Sequence, residues 1–569
     1  MNDARTRTWI ARALIALSAL TLLLFIAIYA VNGPEWDHIT SSEIFYRWDE
    51  GRFSLEYLFR QHNEHRKAAP RLVILGLGLL TRWRNPPEMY LHWALMCATA
   101  LVMYGVFRRE LADKTRAILL FPPMMFLFVS PRSYEALLGD GFPHYLSILF
   151  LIAALGILAF QRPTWPAFAG AISCGLVTSF SMSNGLLVWP FGLALLLANL
   201  RLRTRDAMLW PRAIVWTIVG AITYAFYFHG YVDPGNHSSP RYILEHPTIA
   251  VRHFLTLNGS VLAPAPQSAE VFGAVLLVLY IGLFLTVFVD WWRNRERPPF
   301  GIWLVAIAVL SALLITANRA GFGVEQGLSS RYTAMLALAP IGLYAALAVR
   351  TGRWRLAAPL TISVATLMIV GYLMASVDAW TAAPTAASQR RWMAYLMYSA
   401  KYQPSSLLEK LYSNPDHVRI YATEMERMRF NVFADPHILP ADLLPSQTLP
   451  EYRVDTVNDR APGPDTQVEV DKDGAVEVLG YALNDAGNGP ARAVFLTIDG
   501  TRHLPTASGL FSYILGGPIR QHGRRCSAFR GSFGGFVLAP GEHTLAVTIV
   551  HDDGRHAYVT PTVARVIRR

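Results

Sequence analysis

Residues 36–66, WDHITSSEIFYRWDEGRFSLEYLFRQHNEHR, concentrate acids, imidazoles and arginines directly after an apolar run. Asp37, Glu43, Asp49, Glu50 and Glu64 supply carboxylates, His38, His62 and His65 imidazoles, and Arg60 and Arg66 fixed positive charge. A carboxylate beside imidazoles suits general-base catalysis or a divalent cation such as Mg or Mn. The spacing matches no defined metal motif, so the metal remains unknown, with Asp37, Glu64 and His65 as the ligands if there is one. Asp37 sits at the mouth of the first apolar segment, where a carboxylate can face a cavity between helices. Ionisable groups at membrane depth cost about 2.5–3.5 kcal/mol on insertion scales, so they tend to be functional. The bland reading of Glu43, Asp49 and Glu50 is that they solvate or cap a juxtamembrane helix. Helical spacing over 54–67 places Gln61 with His65 and His62 with Arg66, Glu64 lying beside them.

A second constellation occupies 318–332, NRAGFGVEQGLSSRY. Arg319 and Arg331 flank Gly321, Gly323 and Gly327, and Ser329 and Ser330 precede the second arginine. Glycines let backbone approach a ligand, and guanidinium forks match phosphate oxygens. The competing reading is a turn with a snorkelling arginine. His144 in GDGFPHY and Asn184 in SMSNG also fall at span ends, where each lines the same cavity or caps a helix. His229, His237, His246 and His253 are too dispersed for a metal site.

The elements that must position these residues are membrane helices. The chain has 569 residues, 53% of them hydrophobic, with a mean hydropathy of +0.29, and its apolar residues come in long blocks. Its net charge of +11 lies mainly between those blocks, as topology determinants do, so no nucleic-acid partner is expected. Cys97 and Cys174 fall in apolar blocks and Cys526 stands alone, which gives neither a disulfide framework nor a CxxC site. The N-terminal run is too long for a signal h-region and reads as an uncleaved first span entering from the cytoplasm.

The apolar stretch PRLVILGLGLLTRW is short and suits an interfacial or re-entrant segment. Skipping it predicts further spans near 90–107, 117–129, 145–160, 167–180, 186–200, 213–228, 271–289, 302–317, 332–349 and 356–375. That makes about eleven. The loops at 108–116, 201–205, 291–297 and 350–355 are then all basic and inside. The chemically rich connections, 36–66, 131–145, 180–185, 230–266 and 318–332, all face outward.

From 378 to 435 the pattern is amphipathic and helical, followed by a Pro-rich linker. Beyond it the period shortens. Strands are expected near 466–471, 475–483, 493–498, 534–538, 543–550 and 558–563, separated by turn dipeptides. The predicted fold is thus a polytopic α-helical membrane domain over 1–377, helices and linker over 378–452, and an Ig-like, extracytoplasmic β-sandwich over 453–569.

Asp37 just after the first span, the WDH…QHNEHR loop and the SSRYT stretch at 329–333 give the chain its resemblance to the C-type glycosyltransferase (GT-C) superfamily, most of all to bacterial members with an Asn-Glu-His-Arg first loop. The resemblance covers roughly the hydrophobic two-thirds of the chain. It implies a bacterial inner-membrane, multi-pass enzyme that moves a sugar from a polyprenyl-phosphate lipid to a glycan, lipid or protein acceptor of the cell envelope. Asp37 would be the general base, with Glu64 competing and the Asp49–Glu50 pair resembling the acidic pair of protein mannosyltransferases, though later after the first span than theirs. Arg331, with Arg319, Arg66 or His65, would stabilise the departing phosphate, and His62, His144, Asn184 and Tyr332 would line the cavity. The oligosaccharyltransferase-type WWD motif is absent, since Trp291-Trp292 precedes Arg293. The alternatives are a lipid-carrier flippase or transporter, for which no repeat symmetry is seen, and a non-catalytic polysaccharide-assembly protein.

The basic loops generate a topological prediction. A reporter fused after Arg569 should be active only outside the cytoplasm, and one inserted within 108–116 only inside it. The opposite pattern at either site overturns the alternation.

Overall fold

Backbone polar groups in an apolar surrounding must bond within their own segment, and the long apolar runs accordingly fold as helices. The computed structural model describes residues 2–111, 113–131, 141–160, 164–202, 209–235, 241–434, 443–511 and 522–569. Most of the 131–145 loop, the end of the 201–205 loop, His237 and the start of the Pro-rich linker lie outside the described residues. Chain contacts divide into two units. The first comprises Met1–Ile28, Phe53–Ile74 and Glu88–Thr381, and the second Tyr29–Arg52, Leu75–Pro87 and Ala382–Arg569.

Among the described residues, eight helices are long and apolar enough to cross a membrane: Ala4–Tyr29, Asn85–Leu111, Phe142–Phe160, Leu209–Phe228, Pro266–Arg293, Phe300–Phe322, Ser330–Arg350 and Ala357–Tyr398. That is the pattern of a multi-pass membrane protein. It is fewer than the eleven expected. The predicted span at 117–129 is two seven-residue helices, Lys114–Leu120 and Pro122–Phe128, because Pro122 and Pro123 have no N–H to continue the first and start the second instead. The predicted spans at 167–180 and 186–200 are helices of 15 residues each. The short stretch before Arg82 is a 14-residue helix, Ala68–Thr81.

In the first unit, helix ends meet in two separate groups. One joins Glu110, which accepts from the Phe300 amide (2.5 Å), Arg116, which donates to the Ala348 carbonyl (2.9 Å), Arg297 on the Ala159 carbonyl, and the Arg350–Asp290 ion pair. The other joins Phe59, Phe180 and Phe226, packed edge to face at 5.1–5.7 Å, with the 60–67 segment beside them. Small residues let the helices between these groups approach. A Cβ on Gly301 would lie 2.2 Å from the Gly342 carbonyl oxygen, and one on Gly259 would lie 1.9 Å from that of Ala269.

The second unit combines helices and strands. Asn85 holds its N-terminal pieces together: its carbonyl oxygen accepts from the Gly33 amide (2.8 Å) and from Asn431 Nδ2 (3.0 Å), and its Nδ2 lies 3.0 Å from His38 Nδ1. Its strands are β1 (Leu444–Pro445), β2 (Tyr452–Val457), β3 (Gln467–Val470), β4 (Ala475–Ala482), β5 (Ala493–Ile498), β6 (Arg502–Pro505), β7 (Ala507–Leu510), β8 (Ala528–Gly534), β9 (Gly541–Val550), β10 (His556–Val559) and β11 (Ala564–Arg568). One sheet is β2-β4-β8-β7. In the other, β9 pairs with β5 along one edge and with β11 and then β10 along the opposite one; β6, β3 and β1 complete it. Buried Val457, Val478, Phe529 and Phe533 of the first sheet join Leu496, Val547, Ile549 and Val566 of the second in one core.

The strand expectations need correction at two places. The predicted strand at 534–538 is a 3-10 turn, Gly535–Val537, and its apolar residues follow β8 instead. The one at 558–563 is β10 displaced: the strand runs His556–Val559 and stops before Pro561, which has no N–H for a ladder, and β11 begins only at Ala564. The later part of the amphipathic stretch includes the separate helices Ser405–Leu408 and Pro415–Met428, whereas its first part joins the predicted last span in one 42-residue helix, Ala357–Tyr398. Its final turns fasten to β8, since the Tyr395 hydroxyl donates to the Ser532 carbonyl (2.9 Å) and accepts from the Ser532 amide (3.0 Å).

Close helix approach at glycine makes a direct prediction. Gly301→Ala places a methyl against a carbonyl that must move, so detergent-solubilised protein should be destabilised by roughly 1–3 kcal/mol, read as a lower melting temperature. Gly282→Ala, which meets open space, should leave it unchanged.

Candidate functional site

The helix Leu55–Phe59 ends because Arg60 turns extended (ψ 135°). The following segment is a tight turn. His62 and His65 exchange both backbone hydrogen bonds (2.8 and 2.9 Å), with Asn63 in the left-handed region at φ 49°, which asparagine tolerates. The expected helical pairing of Gln61 with His65 and of His62 with Arg66 therefore does not form. Gln61 instead donates to the Val232 carbonyl (2.6 Å) and accepts from the Val232 amide (3.0 Å). Arg66 donates to the carbonyls of Tyr227 (2.6 Å), Phe59 (2.8 Å) and His229 (2.5 Å). Its guanidinium clamps backbone, unlike the phosphate contact the sequence suggested.

The turn presents Glu64 and His65. Arg319 Nη2 donates to Glu64 Oε1 at 2.9 Å, and His65 Nε2 lies 3.5 Å from the same oxygen. The three side chains are 18%, 26% and 15% exposed for Arg319, Glu64 and His65 respectively, enough to be reached and dry enough to interact strongly. The Ser183 amide donates to His65 Nδ1 (3.2 Å), so the ring's own hydrogen is on Nε2, toward Glu64. Burial pushes the His65 pKa down to about 3. Glu64 opposes that shift, and Lys67, His144 and His62 add to it. His65 is thus a neutral donor across the physiological range. His144 opens the helix Phe142–Phe160, and Asn184 follows Ser183 in the 3-10 turn Ser183–Leu187.

Arg319 ends the helix Phe300–Arg319. Gly323 follows at φ 96°, a conformation that favours glycine, and lets the chain return toward Ser330–Tyr332. Arg331 is exposed. Its guanidinium lies over the Tyr332 ring at 5.3 Å and forms no ion pair among the described residues. Tyr332 is buried and starts the helix Thr333–Arg350. Behind this loop, Gly327 packs on the helix Pro247–Gly259, whose buried His253 meets Thr316 (3.2 Å) and is pushed down to about 4 by burial.

The remaining predicted acids belong to the second unit. Asp37 lies half-buried on the 3-10 turn Trp36–Ser41, and its charge adds to the burial that raises the Tyr412 pKa. Asp49 pairs with Arg427 (2.7 Å), Glu50 with Arg52, and Glu43 with Arg47 (2.7 Å). Asp49 and Glu50 are exposed, as their bland reading expected. Among the described residues no group of three His, Cys, Asp or Glu side chains gathers to hold a metal ion, and His65 Nδ1 is already engaged. Sequence reasoning missed Ser183 and Tyr227, whose hydroxyl donates to the Glu64 carbonyl (3.0 Å); SMSNG was the signal for the first.

No protein-family model matches the chain, and neither a curated protein nor a solved structure is similar to it.

The half-buried, neutral His65 has a pH consequence. Its pKa is depressed on folding, so its contribution is complete above the unfolded value of about 6.5 and is lost as pH falls toward 3. Melting temperature should therefore fall between pH 6.5 and 4, with a shallower slope in His65→Gln.

Proposed function

We propose that the chain is a membrane glycosyltransferase of GT-C type, which moves a sugar from a polyprenyl-phosphate lipid to an envelope acceptor on the outer face of the membrane. The observation that carries this reading is the Glu64–Arg319 pair beside neutral His65, a carboxylate and a guanidinium from distant segments held in one half-buried place. Phosphoryl chemistry needs positive charge where a leaving phosphate develops, and acceptor activation needs a base. Arg319 rests on a carboxylate that a lipid phosphate can replace, and the exposed Arg331 on the same loop supplies a second guanidinium.

The orientation is part of the proposal. The helix-end group of Glu110, Arg116, Arg297 and Arg350 coincides with the basic loops that the positive-inside rule assigns to the cytoplasm. The group around Glu64 is then outward. Helices too short for a hydropathy window also run between the two groups: the helix Val188–Leu202 starts beside Ser183, and its Leu195 and Ala198 sit with Arg297 and Phe300. With Trp165–Ser179, this helix brings the eight long helices to ten. The Pro-broken pair Lys114–Leu120 and Pro122–Phe128 would be the eleventh crossing of a reading with an outward C-terminus and an Ig-like C-terminal sandwich, whose two sheets share one core.

Displacement at the anomeric carbon proceeds with inversion. A carboxylate takes the acceptor hydroxyl proton, that oxygen bonds the sugar, and the lipid phosphate departs with the bonding electrons toward the arginines. Asp37 and Glu64 are the two candidate bases.

A transfer assay with a polyprenyl-phosphate sugar ranks them. Loss of a general base is worth about 10²–10⁴-fold in rate. Asp37→Asn should show that loss if it is the base; if Glu64→Gln shows it instead, the role belongs to the Asn-Glu-His-Arg turn. Arg319→Ala and Arg331→Ala should weaken donor binding and departure together. Parent-rate transfer by both acid variants defeats the enzyme reading.

A further inference from the structure

A pocket of about 590 Å³ lies in the strand-rich part of the second unit, within the size range of small-molecule sites. It is walled by residues 446–451, by the β4–β5 connection at 484–487, and by His551, Asp553 and His556 around the β9–β10 turn. Two aspartate–imidazole pairs stand in it. Asp485 Oδ1 meets His551 Nδ1 at 2.6 Å while Oδ2 accepts from the Asp552 amide (3.0 Å). Asp553 Oδ2 meets His556 Nδ1 at 2.5 Å while Oδ1 accepts from the amides of Arg555 (2.9 Å) and His556 (3.0 Å).

These bonds leave both carboxylates ionised. The His551 hydrogen bond holds the Asp485 pKa below the usual carboxylate range, and the His556 bond does the same more strongly for Asp553. With Nδ1 tied to an aspartate, each ring has Nε2 as its one remaining hydrogen-bonding atom. His551 is only 7% exposed, and its Nε2 is buried with no hydrogen-bond partner among the described residues, the kind of polar atom that folded proteins seldom leave unmatched. Glu451 adds a third carboxylate, held by Arg524, and Asn484 an amide whose oxygen accepts from the Asn488 and Gly489 amides. Among the described residues no lysine or arginine lines the pocket. Acceptors therefore outnumber donors, and an anion would be repelled. Metal-ligand groups of three do not form among the described residues.

We propose that this pocket binds a sugar residue through its hydroxyl or amino hydrogens. Donor-rich and ring-sized, such a unit offers hydrogens to the carboxylates and imidazoles while its carbon face meets Leu449 and Pro450. The site is separate from the membrane unit's chemistry and does not depend on that reading.

Calorimetric titration of the detergent-solubilised full chain tests it, with glucose, glucosamine, putrescine and calcium chloride as probes. Saturable binding of glucosamine, alone or with glucose, is expected; binding of both assigns the contacts to hydroxyls, and binding of glucosamine alone adds the amino group. Asp485→Asn and Asp553→Asn should each weaken binding roughly tenfold or more, since each removes a charged acceptor. Far-ultraviolet circular dichroism checks their folding. If either unfolds, Glu451→Gln, outside both aspartate–imidazole pairs, must show the loss. Glu64→Gln in the membrane unit should leave binding intact whatever it does to transfer. Heat from putrescine or calcium alone, no heat from either sugar, or sugar affinity unchanged in the folded variants overturns the proposal.

Discussion

Arg71 is 7% exposed, and its Nη1 lies 2.7–2.9 Å from the carbonyls of Tyr57, Leu58 and Arg60. A helix that stops at Phe59 leaves its last carbonyls without intrahelical donors, and in apolar surroundings no water replaces them. One buried guanidinium answers that need, and Arg66 answers it again for Phe59, Tyr227 and His229. The turn bearing Glu64 and His65 stands between these two clamps. Its shape follows from where the carbonyls are, and Glu64 reaches Arg319 because that shape is fixed from both sides. The arginines around this turn therefore divide into Arg66 and Arg71, which hold backbone, and Arg319, which meets the Glu64 carboxylate.

Residue type was legible in the sequence, while partnership was not. Glu64, His65 and Arg319 stood out as chemistry-bearing residues, yet nothing in their spacing said that they meet. Gln61 and His65 looked like helix neighbours because the apolar pattern before them continues, and no local signal announces a turn closed by Val232 and Tyr227, more than 160 residues away. Arg66 and Arg319 are chemically identical, so only their surroundings separate clamp from ligand. The acids of the first loop divide in the same way: Asp49 and Glu50 found exposed cations, which a sequence full of arginine cannot rule in or out.

The strands were legible where alternation was clean, as in β4 and β5, whose boundaries lie within a residue of expectation. They were misplaced where apolar residues served a turn. Phe536 and Val537 read as strand because they are apolar and follow glycines, but Gly535 sits so close to Asp471 that a Cβ would lie 2.1 Å from its carbonyl oxygen. That contact comes from the chain after β3, and a window over 534–538 cannot contain it.

Hydropathy found helices that face their surroundings and helices enclosed by others alike. The apolar window of Pro266–Arg293 is 28% buried and that of Ser330–Arg350 is 94% buried, so one apolar signal serves two environments. A helix walled by neighbours can be short, or broken at a Pro pair as at Pro122–Pro123, because its ends rest on protein. Length alone then says little about which helices share a direction, whereas their ends do. At one set of ends the charges are matched among themselves, Arg350 with Asp290 and Arg353 with Glu296 (2.8 Å), and the backbone amide of Phe300 is given to Glu110. At the other set, Glu64 gathers a cation and a neutral imidazole around one oxygen while Arg331 keeps its guanidinium exposed and without an ion pair among the described residues. Exposed arginines occur at both ends, Arg108, Arg109 and Arg293 at the first and Arg331 at the second, so exposed positive charge does not tell the ends apart. What sets the Glu64 end apart is one half-buried carboxylate oxygen shared between a guanidinium and a neutral imidazole.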